Sequence, residues 1–322
     1  MKSLVLAAVL AAAASAAHAQ FDPPDAPMQR IDVSAGSVAD SRSQTGSPGA
    51  LSASARDAGR DASGRPFSVD TSGSTRLGPG RLSGSLATGF TGTGGGSASL
   101  TAYQHDAMTF RRLDGGPDNE LIVHYNIVIA GGSSASIDPI TPPGAGMEAG
   151  SVDWTFVHRL DDFYLTSWDS STRLGYDGSV TTTSHWNVSD IGQVYGVYSF
   201  SAAVLAGSAI NMDLYLEMSS RLNTAGVATN GSLSAEAPTI YWGGISQVTD
   251  WFGNRLDYSV SSTSGFNYAL SAAPSPAPEP ATWAMLTLGG LLLLLRQRRS
   301  RGPETVLSST PASSTQATTA GA

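Results

Sequence analysis

The 322-residue chain contains no cysteine. That excludes disulfide staples, thiol nucleophiles, thiolate metal centres and iron–sulfur clusters, so whatever folds is held by burial and hydrogen bonding. Lysine is almost as scarce, occurring once, at Lys2. Positive charge is short overall: between Gln20 and Pro280, 13 arginines stand against 25 acidic side chains, a net of −12. Phosphate neutralisation needs a basic face, and none is visible, which argues against nucleic acid as a partner. A net negative body is instead soluble and resists nonspecific adsorption to anionic surfaces. Long apolar runs are also missing, except at the two ends.

The N-terminal run follows Met1-Lys2, reads "SLVLAAVLAAAASAA", and closes on Ala17-His18-Ala19. A positive start, an apolar stretch and small residues at the cleavage-defining positions make residues 1–19 a signal peptide, cut before Gln20. The C-terminal run, residues 281–295, carries no charge, and Arg296, Arg298, Arg299 and Arg301 follow it. As a helix it rises about 22 Å at roughly 1.5 Å per residue. That is short against a bilayer core of about 30 Å. Trp283 at one edge and the arginines at the other suit the two membrane interfaces. Both ends agree on one topology, with the body outside and the arginines inside.

Pro278-Glu279-Pro280, then Ala281-Thr282-Trp283, an apolar helix and an arginine cluster closely resemble the PEP-CTERM sorting signal of exported bacterial proteins. The resemblance covers residues 278–301. It implies recognition and processing by an exosortase, a membrane protease-transferase, in a Gram-negative cell that makes exopolysaccharide. Its site residues here are Pro278, Glu279, Pro280, Trp283, Arg296, Arg298 and Arg299. Residues 237–271 are similar to the closing strands that precede this signal in β-sandwich members of the group. The chain departs from the pattern in one respect. Such signals end within a few residues of the arginines, whereas here a polar, low-complexity stretch, expected to be disordered, runs over 302–322.

Between the ends, residues 20–96 are dominated by Gly, Ser, Ala, Asp, Arg and Thr, with few large apolar side chains. So little burial does not offset a chain entropy of roughly 1–2 kcal/mol per ordered residue, and the expectation is a mostly disordered arm. The alternative is that 65–70 and 83–90 supply edge strands. From Ser97 the pattern changes to period-two alternation. Leu121, Val123, Tyr125, Ile127 and Ile129 share one face. So do Val152, Trp154, Phe156, His158 and Leu160, and so do Met212, Leu214, Leu216 and Met218. Leu256, Tyr258 and Val260 alternate in the same way. Further strands are expected at 100–111, 163–168, 179–186, 194–205, 227–235 and 239–245. Turn signals separate them, among them Gly131-Gly132, Asp177-Gly178, Asn230-Gly231 and Gly253-Asn254. About ten strands, each with one apolar face, predict an all-β domain over 97–270: an antiparallel two-sheet sandwich or jelly roll. Residues 271–280 read as a Pro-rich spacer.

Chemistry is sparse in this middle region. His105, His124, His158 and His185 remain after signal removal, and His158 reads as an inward, hydrogen-bonded core histidine. Glu120 and His124 fall on the solvated face of one strand, too far apart along it to share a metal. Asp161 and Asp162 adjoin, so in an extended chain they point to opposite faces, unlike a converging glycosidase pair. Asp114, Asp118, Asn119 and Glu120 lack calcium-loop spacing and read as a hairpin turn. "GTGGG" at 92–96 has no strand-to-helix context for a phosphate loop, and no nucleophile elbow is present. Trp168, Trp186 and Trp251 lie near turns beside Asp169, Asn187 and Asp250. Rings next to carboxylates and amides are what sugar-binding sandwiches present, so these three are the carbohydrate-binding candidates; the alternative is that they cap the sandwich. The expectation is a non-enzymatic surface or matrix protein without cofactor or metal, with exosortase and the membrane as partners and polysaccharide as a further one. A lectin-like module is the alternative, and a glycoside hydrolase the third.

Overall fold

A computed structural model of the chain describes residues 26–116, 120–137, 148–161, 164–187, 189–191, 194–223 and 229–273. The described residues form fifteen strands and no helix. They build two antiparallel sheets, and the protein is all-β. The first sheet runs in the order β11 (Ser189–Asp190), β10 (Val180–Trp186), β9 (Tyr164–Gly175), β8 (Glu148–Leu160), β13 (Ala209–Asn223), β6 (Gly95–Arg112), β1 (Met28–Ala35), β2 (Val38–Thr45). A further strand, β15 (Tyr258–Ser262), also pairs with β6. The second sheet runs β12 (Gly196–Leu205), β7 (Glu120–Ile137), β14 (Thr229–Thr249), β5 (Arg81–Gly92), β4 (Pro66–Gly78), β3 (Gly49–Arg60).

The inner faces of the two sheets make one continuous core. The alternating residues of β7, β8 and β13 point into it as expected: Ile127, Phe156, Met212, Leu214 and Leu216 are wholly buried. Period-two patterning is informative here because a pleated strand buries every second side chain and leaves the others to solvent.

The disordered arm expected over 20–96 is overturned from residue 28 onward. β1 to β5 occupy Met28 to Gly92 and supply half of the second sheet. The domain therefore does not begin at 97, and the alternative strands at 65–70 and 83–90 are parts of the long β4 and β5. Composition misled because small side chains suffice where the partner sheet brings the bulk. Ile31 and Val33 on β1 and Leu82, Leu86 and Phe90 on β5 are buried among Ala, Gly and Thr. At Gly73 an added Cβ would lie 2.7 Å from Ile31 Cγ2, and at Gly84 2.7 Å from Leu100 Cδ2. The sheets thus approach to the glycine backbone, and the apolar mass comes from across the interface.

Two expected turns are also corrected. Gly131-Gly132 lies inside β7 and Asn230-Gly231 inside β14, and the two strands expected at 227–235 and 239–245 are one strand. Its irregularities are bulges, with register shifts between Glu236 and Thr239 and between Trp242 and Gln247. Gly244, at φ +86°, sits in the second of these, where a glycine adopts the left-handed conformation without penalty.

The last described stretch is a strap. β1 pairs with β6 over Gly96 to Tyr103, and β15 takes over the same edge at Met108 to Arg112. The chain then turns inward. Asp106, buried on the core face of β6, accepts hydrogen bonds from Thr263 Oγ1 (2.6 Å), Ser264 N (3.1 Å), Ser264 Oγ and Tyr268 Oη (2.7 Å). Trp242 Nε1 donates to Tyr268 O at 2.7 Å, and Ala272 N to Trp242 O at 2.8 Å. The expected signal peptide over 1–19, the expected helix over 281–295, the expected sorting-signal residues and the stretch 302–322 lie outside the described residues. So does most of the 271–280 spacer.

Candidate functional site

At the end of the sandwich where β6, β8, β12 and β14 run out, apolar side chains meet solvent. The turn after β14 is set by Asp250. Its carboxylate accepts from Phe252 N (2.8 Å), Asn254 N (2.9 Å) and Asn254 Nδ2 (2.8 Å). Asp250 O accepts from Gly253 N, and Gly253 has φ +83°. The hydrogen bond from the Asn254 side chain, helped by the two backbone N–H groups, holds the Asp250 carboxyl below the usual carboxylate range. This Asx-type turn puts the two residues between Asp250 and Gly253 at its tip. Trp251 is 62% exposed and Phe252 90%. The Trp251 ring is not loose surface: its Nε1 donates to Glu120 Oε2 at 3.0 Å, which tethers the indole and leaves it open to solvent.

Glu120 opens β7 opposite Leu205 of β12, and Leu205 is also exposed. Exposed Leu113 lies in the neighbouring β6–β7 turn, where its N–H donates to Asp257 O. Arg112 grips Asp114 there through Nε (2.9 Å) and Nη2 (2.6 Å), and this pair holds the Asp114 carboxyl at about 2. Asp118 and Asn119, the other turn residues singled out with Asp114 and Glu120, lie outside the described residues. Among the described residues no group of three or more His, Asp and Glu is placed to hold a metal ion.

Beside Glu120 a cleft of about 290 Å³ opens between the β8–β9 turn and the β12–β13 hairpin, lined by Glu120, Leu160, Asp161, Leu205, Ser208 and Ile210 among others. Asp161 is not extended, as the sequence suggested. It has φ +52° and donates its N–H to Asn211 O at 2.7 Å, a left-handed turn position that aspartate tolerates better than most residues. The described lining includes two carboxylates and no cation.

The three tryptophan candidates separate. Trp168 is wholly buried, stacked on Phe156 at 5.1 Å and edge-on to Tyr198 at 5.0 Å. It presents no ring face to a ligand and is corrected out of the site. Its position on the inner side of β9, paired with Trp186 of β10, put it in the core. Trp186 lies over Trp168 with planes 2° apart and donates Nε1 to Thr166 Oγ1 at 3.0 Å. It closes the open edge between the two sheets, the capping role. Trp251, 62% exposed against 37% for Trp186, is the most open of the three. Phe252, Leu113 and Leu205 were not singled out from sequence. The available signal was "DWFGN" (250–254): an aromatic pair between a turn-forming Asp and Gly-Asn has nowhere to go but outward.

Elsewhere, His158 is inward and buried as expected, but it is not hydrogen-bonded at Nε2. It packs against Tyr125 and Phe200, and burial pushes its pKa down to about 4. His124 bonds Ser201 Oγ through Nδ1 at 2.7 Å on the outer face of the second sheet. On the outer face of the first sheet, Asp213 is buried beneath Tyr103 Oη (2.6 Å), His105 Nδ1 (2.8 Å) and Arg159 Nε (2.7 Å), all donating to it. His185 Nδ1 donates to Asp169 at 2.6 Å. Each carboxylate is satisfied by its neighbours, and these clusters tie adjacent strands together. "GTGGG" forms the β5–β6 connection, with Gly92 at φ +84° and Gly94 at φ +152°.

The chain matches no protein-family model and no curated protein.

Proposed function

We propose that this is an exported, exosortase-sorted protein of the bacterial cell surface or extracellular matrix, non-enzymatic, with a structural or adhesive role. The observation that carries this is the C-terminal sequence: Pro278-Glu279-Pro280, Trp283, an uncharged stretch and the arginine cluster, following a signal peptide. A cysteine-free two-sheet body between these signals supports it, since such a body folds after translocation without oxidative help. Intact-mass analysis of the protein from an exosortase-bearing host tests this. The expected species lacks residues 1–19 and ends near Pro278, and replacing Pro278-Glu279-Pro280 by Ala-Ala-Ala leaves the chain in the membrane at full length. A soluble intracellular chain with both ends attached overturns the reading.

A second reading, a carbohydrate-binding module, is favoured by one observation: Trp251 and Phe252 are exposed on a turn that is itself rigidly hydrogen-bonded. The two readings are compatible, since a matrix protein that holds polysaccharide would need such a surface.

A further inference from the structure

We infer that the end cleft takes an uncharged polysaccharide, with the chain laid across Trp251 and Phe252 and its hydroxyls donating to Glu120 and Asp161. This rests on the carbohydrate reading above and gives it a place and a ligand class.

Four features converge there. The first is the pair of exposed rings. Their apolar area is held in water by the Asp250 turn, at a cost the fold would avoid by placing polar residues at the tip. The second is preorganisation. The bond from Trp251 Nε1 to Glu120 means the ring has little freedom left to lose on binding, which lowers the entropic cost of stacking a sugar on it. The third is the cleft. At about 290 Å³ it lies near the lower limit of small-ligand pockets, roughly 300–1,000 Å³. It suits a short stretch of a chain whose remainder lies over the aromatic tip.

The fourth is charge. Both ionisable groups in the described lining are carboxylates, which accept hydrogen bonds and donate none. Sugar hydroxyls donate to them. Within the cleft, uronate, sulfate or phosphate groups would meet these two carboxylates, and the body carries its net of −12 over residues 20–280, while the exposed Arg255, paired with Thr249 at the base of the Asp250 turn, lies outside that lining. The C–H faces of the sugar rings meet the aromatic faces, and the hydroxyl edges meet the acids.

The test is affinity electrophoresis of the processed protein through gels containing an uncharged glucan, mannan or galactan, beside gels containing polygalacturonate or alginate. Wild type is expected to be retarded by at least one uncharged polymer, with little dependence on salt, and not by the polyuronates. Trp251→Ala and Phe252→Ala are each expected to weaken retardation about tenfold. Both lie at an exposed tip, so an unchanged melting temperature certifies the fold. Glu120→Gln keeps an acceptor for the indole but removes the charge, and is expected to relax the exclusion of polyuronates. No retardation by any polymer overturns the carbohydrate reading itself. Retardation that survives both ring deletions overturns only the location. Equal retardation by uncharged and anionic polymers overturns only the ligand class.

Discussion

Single residues in this core carry a readable pH signature. His158 is buried between Tyr125 and Phe200, and burial lowers its pKa from 6.5 to about 4. The unfolded chain therefore binds a proton in the window from about pH 6.5 down to about 4 while the folded chain does not. Stability contributed by the neutral ring is fully present above 6.5 and falls as pH drops through that window, by up to about 3 kcal/mol. His158→Phe is expected to flatten this slope in urea unfolding between pH 4 and 7, with little loss at pH 7, because Nε2 has no hydrogen bond to lose. A slope identical to wild type would refute the assignment. That His158 points inward was legible from its alternation with Val152, Trp154, Phe156 and Leu160. Its orphaned nitrogen was not, because hydrogen-bond partners come from other strands and sequence spacing does not contain them. The same limit applies to tryptophan. Trp168, Trp186 and Trp251 all sit near turns, yet one is core, one closes an edge and one meets solvent. Only strand pairing distinguishes them.

Whole strands show what composition conceals. Residues 28–92 carry too little apolar mass to fold alone, and reading them as unstructured followed from that sum. They are strands because Leu100, Met218 and their neighbours on β6 and β13 bring the missing volume to them. Glycine at 73 and 84 then marks close approach of the two sheets rather than flexibility. The long strands of β7, β8 and β13 were legible because each alternates large apolar with polar residues by itself. A disordered arm is dispensable, whereas β1 to β5 are half of one sheet and an edge of the other. A chain beginning at Ser97 is therefore expected to lose cooperative unfolding and to bind hydrophobic dye. Exposed Leu100, Leu82-facing and Ile31-facing surface would be left uncovered. A sharp melt of that fragment close to the intact protein's would restore the arm interpretation.

At the scale of the whole molecule, the described body closes on its strap. The described body ends at Ala273, after Tyr268 has been buried against Asp106 and Trp242. Burial by itself would raise the Asp106 pKa. Hydrogen bonds from Ser264, Thr263 and Tyr268 outweigh it, and the net shift is downward. The stability this carboxylate gives is present above its unfolded pKa of about 3.9 and is lost as pH falls through the lower folded value. The strap is thus firmly held at neutral pH and releases only in stronger acid than the window of His158. Two truncations follow from this. A chain ending at Ala273 is expected to melt like the full-length chain, since it keeps every contact among the described residues. A chain ending before Tyr258 should not: it strips β15 from β6, uncovers Trp242 and leaves the Asp106 carboxylate buried without its donors, at roughly 1–3 kcal/mol for each polar group so abandoned. Asp106→Ala should reproduce much of that loss in the full body, by removing the acceptor on which Thr263, Ser264 and Tyr268 converge. Equal melting temperatures for the two truncations would mean that the strap is ornament. A large gap would mean that folding closes on residues 258–273, the last of the described body.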